Sequence, residues 1–342
     1  MLSRPYVNKH KGFSSGEPLV SVVTPFFNSA EYLDECIESM INQTYNNWEY
    51  ILADNCSTDG SGDIAEKCAA SDPRIRVIRE VEFLGQVENY NRALGYISPK
   101  SKYCKIVQAD DWIYPHCLSE MIAVAESRDN VGLVSSFCLY GNGLGHKGGL
   151  SLSFGPVYPG RDVARAQLFG TIFFGSPTGV MYLSDIVRSK KPFFSTTIRY
   201  FEDTEVCFEI LRDHDFGFVP QVLTFNRRDN AGFWAKMEQH NPILLYEVMF
   251  THRFGPTFLN REELVRKMRE VENRYYHFLA HCALYGYGKD FWEFHREGLD
   301  SVGQKISHLQ VVLHAISIIS DKVLNPKSTV EDLWHRVLKL RR

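Results

Sequence analysis

Four times before Glu126 a short apolar run gives way to a polar turn and then to a helical stripe, and this alternation restricts the fold more than any other feature. The first run, Pro18 to Val23 (PLVSVV), is continuous and rich in β-branched residues, as suits a strand covered on both faces in a parallel sheet. It stops at Thr24-Pro25-Phe26-Phe27-Asn28. After that turn Leu33, Ile37, Met40 and Ile41 mark one face of a helix, with Asn28 or Ser29 expected as its cap. Strand-like runs recur at Trp48 to Ala53, Ile75 to Arg79 and Lys105 to Ala109, with helices predicted over 61–70, 87–97 and 115–126. Further strands are expected at Val131 to Tyr140 and Phe216 to Phe225. Such a series predicts an α/β, doubly wound and mostly parallel sheet, whose ligand lies beyond the carboxyl ends of the strands.

Length and charge narrow the function. A chain of 342 residues with 44% apolar and 23% charged residues can bury a full-sized core. Its formal net charge of −3 argues against nucleic acid as the principal partner. The eight cysteines form no C-x-x-C pair, so neither a zinc site nor a disulfide framework is indicated, and a reducing cytoplasm is the expected compartment. The first seventeen residues lack the apolar centre of a signal peptide, and no run of eighteen apolar residues occurs.

The candidate chemistry lies at Gln108-Ala109-Asp110-Asp111-Trp112, where the fourth strand is expected to end in two adjacent carboxylates. Neighbouring side chains at a strand end point to opposite faces of the pleat, so one acid can hold a hard divalent cation while the other reaches a sugar. A second acidic cluster, Glu202-Asp203-Thr204-Glu205, opens a helical stripe; alone, Asp203 reads as a helix cap. Arg227 and Arg228 follow the last strand, where a cation can neutralise a diphosphate. His277 and His281 have the i, i+4 spacing of metal ligands, but stacking against Tyr275, Tyr276 or Tyr285 is the expected role, since no recognised ligand pattern accompanies them.

Together these features resemble an inverting glycosyltransferase of family 2, with the GT-A fold. The resemblance rests on Val20 to Asn28, on Tyr32-Leu33 through Ser39 to Gln43-Thr44-Tyr45, on Asp54 to Ser61, on Gln108 to Asp111 and on Glu202 to Glu205. It covers residues from about 18 to 230. It implies a nucleotide-sugar donor, expected to be a UDP-sugar, a glycan or lipid-linked acceptor, and Mn2+ or Mg2+ as cofactor. With Thr24 beside them, Pro25 and Phe27 would line the base pocket, and Asp54 or Asn55 would hydrogen-bond the base. Asn91 would approach the nucleotide or sugar. Asp110 and Asp111 would form the metal-diphosphate site and Asp203 would be the general base, with Gly175 to Thr178 on the acceptor side and Arg227 or Arg228 assisting the leaving group. Three positions depart from the family pattern: Asn55 stands where a second acid is usual, Cys56 where a glycine is usual, and Gln108 where the first metal-motif acid is usual. With Gln108 there, Asp111 is expected to carry the cation nearly alone.

The alternation lacks a glycine-rich G-x-G-x-x-G turn after the first strand, which disfavours a dinucleotide-dependent oxidoreductase. A phosphatase or nuclease would require more acids or histidines for two ions. A catalytically silent nucleotide-sugar-binding protein is the alternative within the same fold. Residues 1–17 read as an extension, 18–235 as the catalytic domain and 236–342 as a helical subdomain. Seven glycines between Gly141 and Gly160 suggest a lid, and the four cations from Arg336 to Arg342 suggest a peripheral membrane contact.

Overall fold

The computed structural model describes residues 16–141, 143–145, 155–197, 200–227, 237 and 239–324. Half of the glycine-rich stretch, Arg228 and the basic C-terminal tail therefore lie outside the described residues. The chain divides into two compact units, residues 1–163 with 171–229, and residues 164–170 with 230–342.

The first unit is built on one sheet. Its strands are β1 (Val20–Phe26), β2 (Trp48–Asp54), β3 (Ile75–Arg79), β4 (Tyr103–Ile106), β5 (Trp112–Ile113), β6 (Val131–Tyr140), β7 (Gly143–Gly145), β8 (Val157–Tyr158), β9 (Val180–Leu183) and β10 (Asp215–Asn226). Their order is β3-β2-β1-β4-β9-β6-β10-β5, with β7 beside β6 and β8 beside β10. The pairs β1–β2, β2–β3, β1–β4 and β6–β10 are parallel, whereas β9 runs antiparallel to both β4 and β6. This reversal brings the start of β9, rather than its end, to the carboxyl edge of the parallel strands. Helices α1 (Leu33–Ile41), α2 (Ser61–Ser71), α3 (Gln86–Leu94), α4 (Cys117–Ala125), α6 (Ser184–Ser189) and α7 (Glu202–Ile210) follow or connect the strands, while α5 (Gly160–Leu168) is divided between the two units.

Every residue of β1 is buried, which accounts for its unbroken apolar run. Pro25 is tolerated in this central strand because a side chain replaces its N–H. Odd residues of β1 face β4, and that ladder ends where the Val107 amide donates to the Val23 carbonyl. Even residues face β2, where the Phe26 carbonyl accepts from Asn55 N. The missing proline N–H falls at the next position of the β4 ladder, opposite the Val107 carbonyl, which is served by the Thr24 hydroxyl instead. Beneath it Thr24 is fully buried, its hydroxyl donating to the Val107 carbonyl at 2.8 Å and lying 2.8 Å from the Tyr50 hydroxyl. Thr24 is thus a core residue, and its expected place in the base pocket is corrected: its only polar group is committed below the site.

Helix α1 begins at Leu33 without a side-chain cap, so neither Asn28 nor Ser29 caps it as expected. The Asn28 carboxamide instead accepts from Thr58 N at 2.9 Å, joining the turns after β1 and β2. All eight cysteines are free. Among the described residues no helix is long and apolar enough to cross a membrane.

The second unit is helical, with α8 (Ile243–Phe258), α9 (Arg261–Leu284), α10 (Lys289–Asp300) and α11 (His308–Leu324). Asn260 and Glu263 form a reciprocal capping box at the start of α9. Fully buried His295 bonds the His240 carbonyl through Nε2 and the Tyr275 hydroxyl through Nδ1, both at 2.9 Å. A carbonyl only accepts, so Nε2 carries the proton and Nδ1 accepts from the tyrosine. Burial pushes His295 down to about 4, which keeps the ring neutral. His281 stacks near Tyr285 at 4.3 Å between ring centroids, as its sequence context suggested.

Replacing Thr24 with near-isosteric valine leaves the Val107 carbonyl and Tyr50 hydroxyl without that partner in a dry core, so Thr24→Val should cost about 1–3 kcal/mol in urea unfolding.

Candidate active site

Two turns at the carboxyl edge are laced together. Asn28 N donates to Ser57 Oγ at 3.0 Å, Ser29 N to Ser61 Oγ at 2.8 Å and Ala30 N to Asp59 Oδ2 at 2.9 Å. The polar run from Asp54 to Ser61 thus supplies acceptors for a backbone turn that would otherwise leave its N–H groups to water. Asp54 is 3% exposed and accepts from Ser57 N at 2.9 Å. Its carboxylate lies so close to α2 that a Cβ on Gly62 would stand 2.7 Å from Asp54 Oδ2.

Asn55, the departure from the family's acid, is explained by its neighbour. Its Nδ2 donates to the Leu84 carbonyl and its Oδ1 accepts from Leu84 N, both at 2.9 Å. Only an amide can satisfy a donor and an acceptor of one residue in this way. Asn91 makes the same clasp on Phe194, with Nδ2 donating to its carbonyl and Oδ1 accepting from its N–H, both at 2.8 Å. Both carboxamides therefore hold loops in place. Each clasp uses one N–H and one oxygen lone pair, so the second N–H of each amide is the group left to reach a base or sugar.

Phe27 is 44% exposed beside these turns and meets Phe83 edge-on, with centroids 4.8 Å apart. Phe83 is itself exposed, and sequence reading missed it because it sits in a loop with no periodicity.

Asp110 and Asp111 occupy a turn four and five residues beyond Ile106, where β4 ends. The pleat argument for their divergence is thus replaced by one of burial. Asp111 is 3% exposed and accepts from Thr178 Oγ1 at 2.6 Å, Asn226 Nδ2 at 2.6 Å and Arg227 N at 2.8 Å. Burial, and then the charge of Asp110, push it up to about 7. Asp110 is half-buried. Gln108 accepts from Ser176 Oγ at 3.0 Å, and Gln108 N donates to Thr178 Oγ1 at 3.0 Å. Behind this turn Lys105 is fully buried and donates to the carbonyls of Thr178 and, at 3.3 Å, Val180. Gln43 fixes the far side: Nε2 donates to the Tyr114 carbonyl at 2.9 Å and Oε1 accepts from Leu118 N at 3.1 Å.

Arg227 is committed within the site. It pairs with Glu35 at 2.8 Å, donates from Nε to the Asp110 carbonyl at 3.0 Å and lies over the Tyr32 ring at 4.2 Å. This leaves it bracing the acidic turn.

Asp203 lies in the first turn of α7, but the cap position is Phe201 in a left-handed conformation, and no side chain caps the helix. The simple capping role is therefore absent; Asp203 Oδ1 accepts from Thr204 N at 2.7 Å. Its neighbour Glu202 is half-buried, and burial followed by the Asp203 charge pushes it up to about 8. Tyr90 on α3 links the two acidic groups. Its hydroxyl is raised first by burial, then by the charge of Asp110, and further by Asp111 and Glu202. Tyr90 too escaped sequence reading, being one polar-tipped aromatic on a helix face.

The donor set fits a hard divalent cation. It is all oxygen: the Asp110 carboxylate, the Asp111 carboxylate behind it and Asn226 Oδ1, a buried atom with no hydrogen-bond partner among the described residues. No cluster of three or more His, Cys, Asp or Glu is present among the described residues, so such an ion would complete its shell with water and phosphate.

Residues 21–189 match the family described as Glycosyl transferase family 2. Glycosyltransferase GlyG of Streptococcus pneumoniae is 33% identical over 122 residues, which is 36% of this chain and 40% of that protein. Among solved structures, S. aureus TarS 1–349 in complex with UDP-GlcNAc aligns with a TM-score of 0.61 at 15% identity, covering 83% of this chain and 80% of that one. Mannosyltransferase PcManGT from Pyrobaculum calidifontis, in complex with GDP-Man and Mn2+, aligns at 0.51 and 17% identity over 89% and 87% of the two chains. These structural likenesses establish the shared fold.

Glu202 retains its proton in the folded chain to about pH 8, whereas the unfolded chain releases it near the ordinary glutamate value. Its contribution to stability is present in full below that ordinary value and is lost as pH rises through about 8. Glu202→Gln should therefore flatten the decline in unfolding free energy between about pH 5 and 9, measured by urea denaturation across that range.

Proposed function

We propose that this chain, which belongs to glycosyl transferase family 2 through residues 21–189, is a glycosyltransferase that moves a sugar from a nucleoside-diphosphate donor to a hydroxyl acceptor with inversion. What supports the reading beyond the family is that acids from two separate elements, the Asp110–Asp111 turn after β4 and the Glu202–Asp203 start of α7, lie near enough to buried Tyr90 on α3 for their charges to raise its hydroxyl. Inversion needs a base on the acceptor side and a charge-stabilising group on the diphosphate side, and these acids come from different elements of the sheet edge.

In this reading Asp203 takes the acceptor hydroxyl's proton as that oxygen attacks the anomeric carbon and the bond to the diphosphate breaks. Its preference over Glu202 follows from charge: Glu202, pushed up to about 8, remains protonated at neutral pH and is a poor base. Asp110 and Asp111 hold Mn2+ or Mg2+, whose positive charge offsets the charge growing on the leaving diphosphate. In place of the Asp111 contact expected from the sequence, the more exposed Asp110 would make the direct contact, with Asp111 held beside it by three hydrogen bonds. Phe27, with Pro25 beneath it, offers the base an aromatic surface, and Asp54 sits at the same end. A UDP-sugar donor and a glycan or lipid-linked acceptor complete the proposal. Arg228, which follows the bracing Arg227, is left as a candidate for the diphosphate.

The matched stretch spans 40% of the pneumococcal relative, so its substrates do not transfer by similarity. A thermal-shift screen of UDP-, GDP- and dTDP-sugars with Mn2+ should reveal the donor, since a ligand of the native state raises its apparent stability. Asp203→Asn should then lower transfer by about 10²–10⁴-fold while donor binding persists. Loss of binding in step with transfer would refute the base assignment, and no transfer by the wild type with any donor would favour a silent binder.

Asp110→Ala should abolish the Mn2+-dependent part of the donor-induced shift without changing the melting temperature of the ligand-free protein. Asp111→Ala should lower that melting temperature as well, because it removes an acceptor from three buried donors.

A further inference from the structure

Helix α11 turns its apolar side outward. Leu309, Val312, Leu313, Ile316, Ile319 and Val323 are all exposed, between 49% and 72%, and their i, i+3, i+4, i+7 spacing places them on one continuous face. On the side turned to the unit, only Ile318 is buried, with Val311, His314, Ala315 and Lys322 at intermediate exposure. The helix therefore reverses the usual arrangement, in which the apolar stripe faces the core. Lys322 reaches back from α11 to the Tyr285 hydroxyl at 2.9 Å, and Tyr285 and Tyr287 are themselves exposed beside it.

We infer that this face of α11 lies in the interface of an anionic lipid bilayer, with the helix parallel to the membrane plane. Its seventeen residues extend about 25 Å, less than the hydrocarbon thickness, and no described helix meets the requirements of a span. An amphipathic helix of this kind buries its apolar face at the level of the headgroups. Charge selects the partner. From Lys305 onward the sequence holds seven Lys or Arg against Asp321, Glu331 and Asp332, in a chain whose formal net charge is −3. An anionic headgroup layer attracts the cations carried on this stretch of sequence. The exposed tyrosines and Lys322 have the apolar body and polar tip that suit the same boundary. The inference does not depend on the transfer reaction.

The test is co-sedimentation of the full chain with sucrose-loaded vesicles, one set of phosphatidylcholine and one with about a third phosphatidylglycerol. The wild type should partition at least about tenfold more strongly onto the anionic set, and raised salt should reduce this. Leu313→Glu with Ile316→Glu should lower that partition about tenfold while the melting temperature is maintained, since both side chains face outward. Should the glutamates disturb folding, Leu313→Gln with Ile316→Gln serves with the same expectation. Undiminished binding by a folded double variant would overturn the assignment to α11 and give the contact to the basic tail. Failure of the wild type to bind anionic vesicles would overturn it outright, as would light scattering showing a wild-type dimer that the variant dissociates.

Discussion

A single buried carboxylate orders the edge of the sheet. Asp111 accepts hydrogen bonds from Thr178 before β9, from Asn226 at the end of β10 and from the adjoining Arg227 amide, so two segments distant in sequence converge on two oxygens. Burial penalises the charge of Asp111, and the three donors offset only part of that penalty. Asp110 is thereby held beside it in a half-buried position, and Arg227, fixed by Glu35 and the Asp110 carbonyl, closes the turn from the outside. Gln108 is part of the same assembly through Ser176. Its amide reads as a replacement for an acid when the sequence is considered alone, yet in the fold its Oε1 accepts a hydroxyl that Asn226 also contacts.

Periodicity revealed the frame because each strand and helix is a local pattern. β3 and β6 fall where their apolar runs predict, and α9 spans the predicted Arg261 to Leu284. The direction of β9 was not legible, since its four residues read the same in either orientation and the reversal is decided by its partners β4 and β6. The candidate site was legible as a set of residues but not as a division of tasks. Thr24, Asn55 and Asn91 have side chains suited to a nucleotide, and each is engaged by Val107, Leu84 or Phe194, at sequence separations of 83, 29 and 103. No local pattern carries that information. Phe83 and Tyr90 escaped for the opposite reason: their importance comes only from what the fold sets beside them.

The helical unit shows the same distinction. Its capping box and long helices follow from residues within a few positions of one another, whereas the neutral state of His295 depends on Tyr275 and the His240 carbonyl. The outward apolar face of α11 stands between these cases. Its spacing is plain in sequence, but spacing alone assigns such a stripe to a core, and only the accessible surface shows that it faces away from one.

The lacing of the first two turns bears on how the site accommodates different molecules. Ser57, Ser61 and Asp59 each hold a backbone amide of Asn28, Ser29 or Ala30, and Asn28 returns the contact to Thr58. These four bonds make the ends of β1 and β2 one mechanical piece, with Phe27 projecting from it and Asp54 seated at its base. A molecule gripped there meets a wall of fixed shape, so whatever selectivity that surface has is set when the chain folds rather than when a ligand arrives.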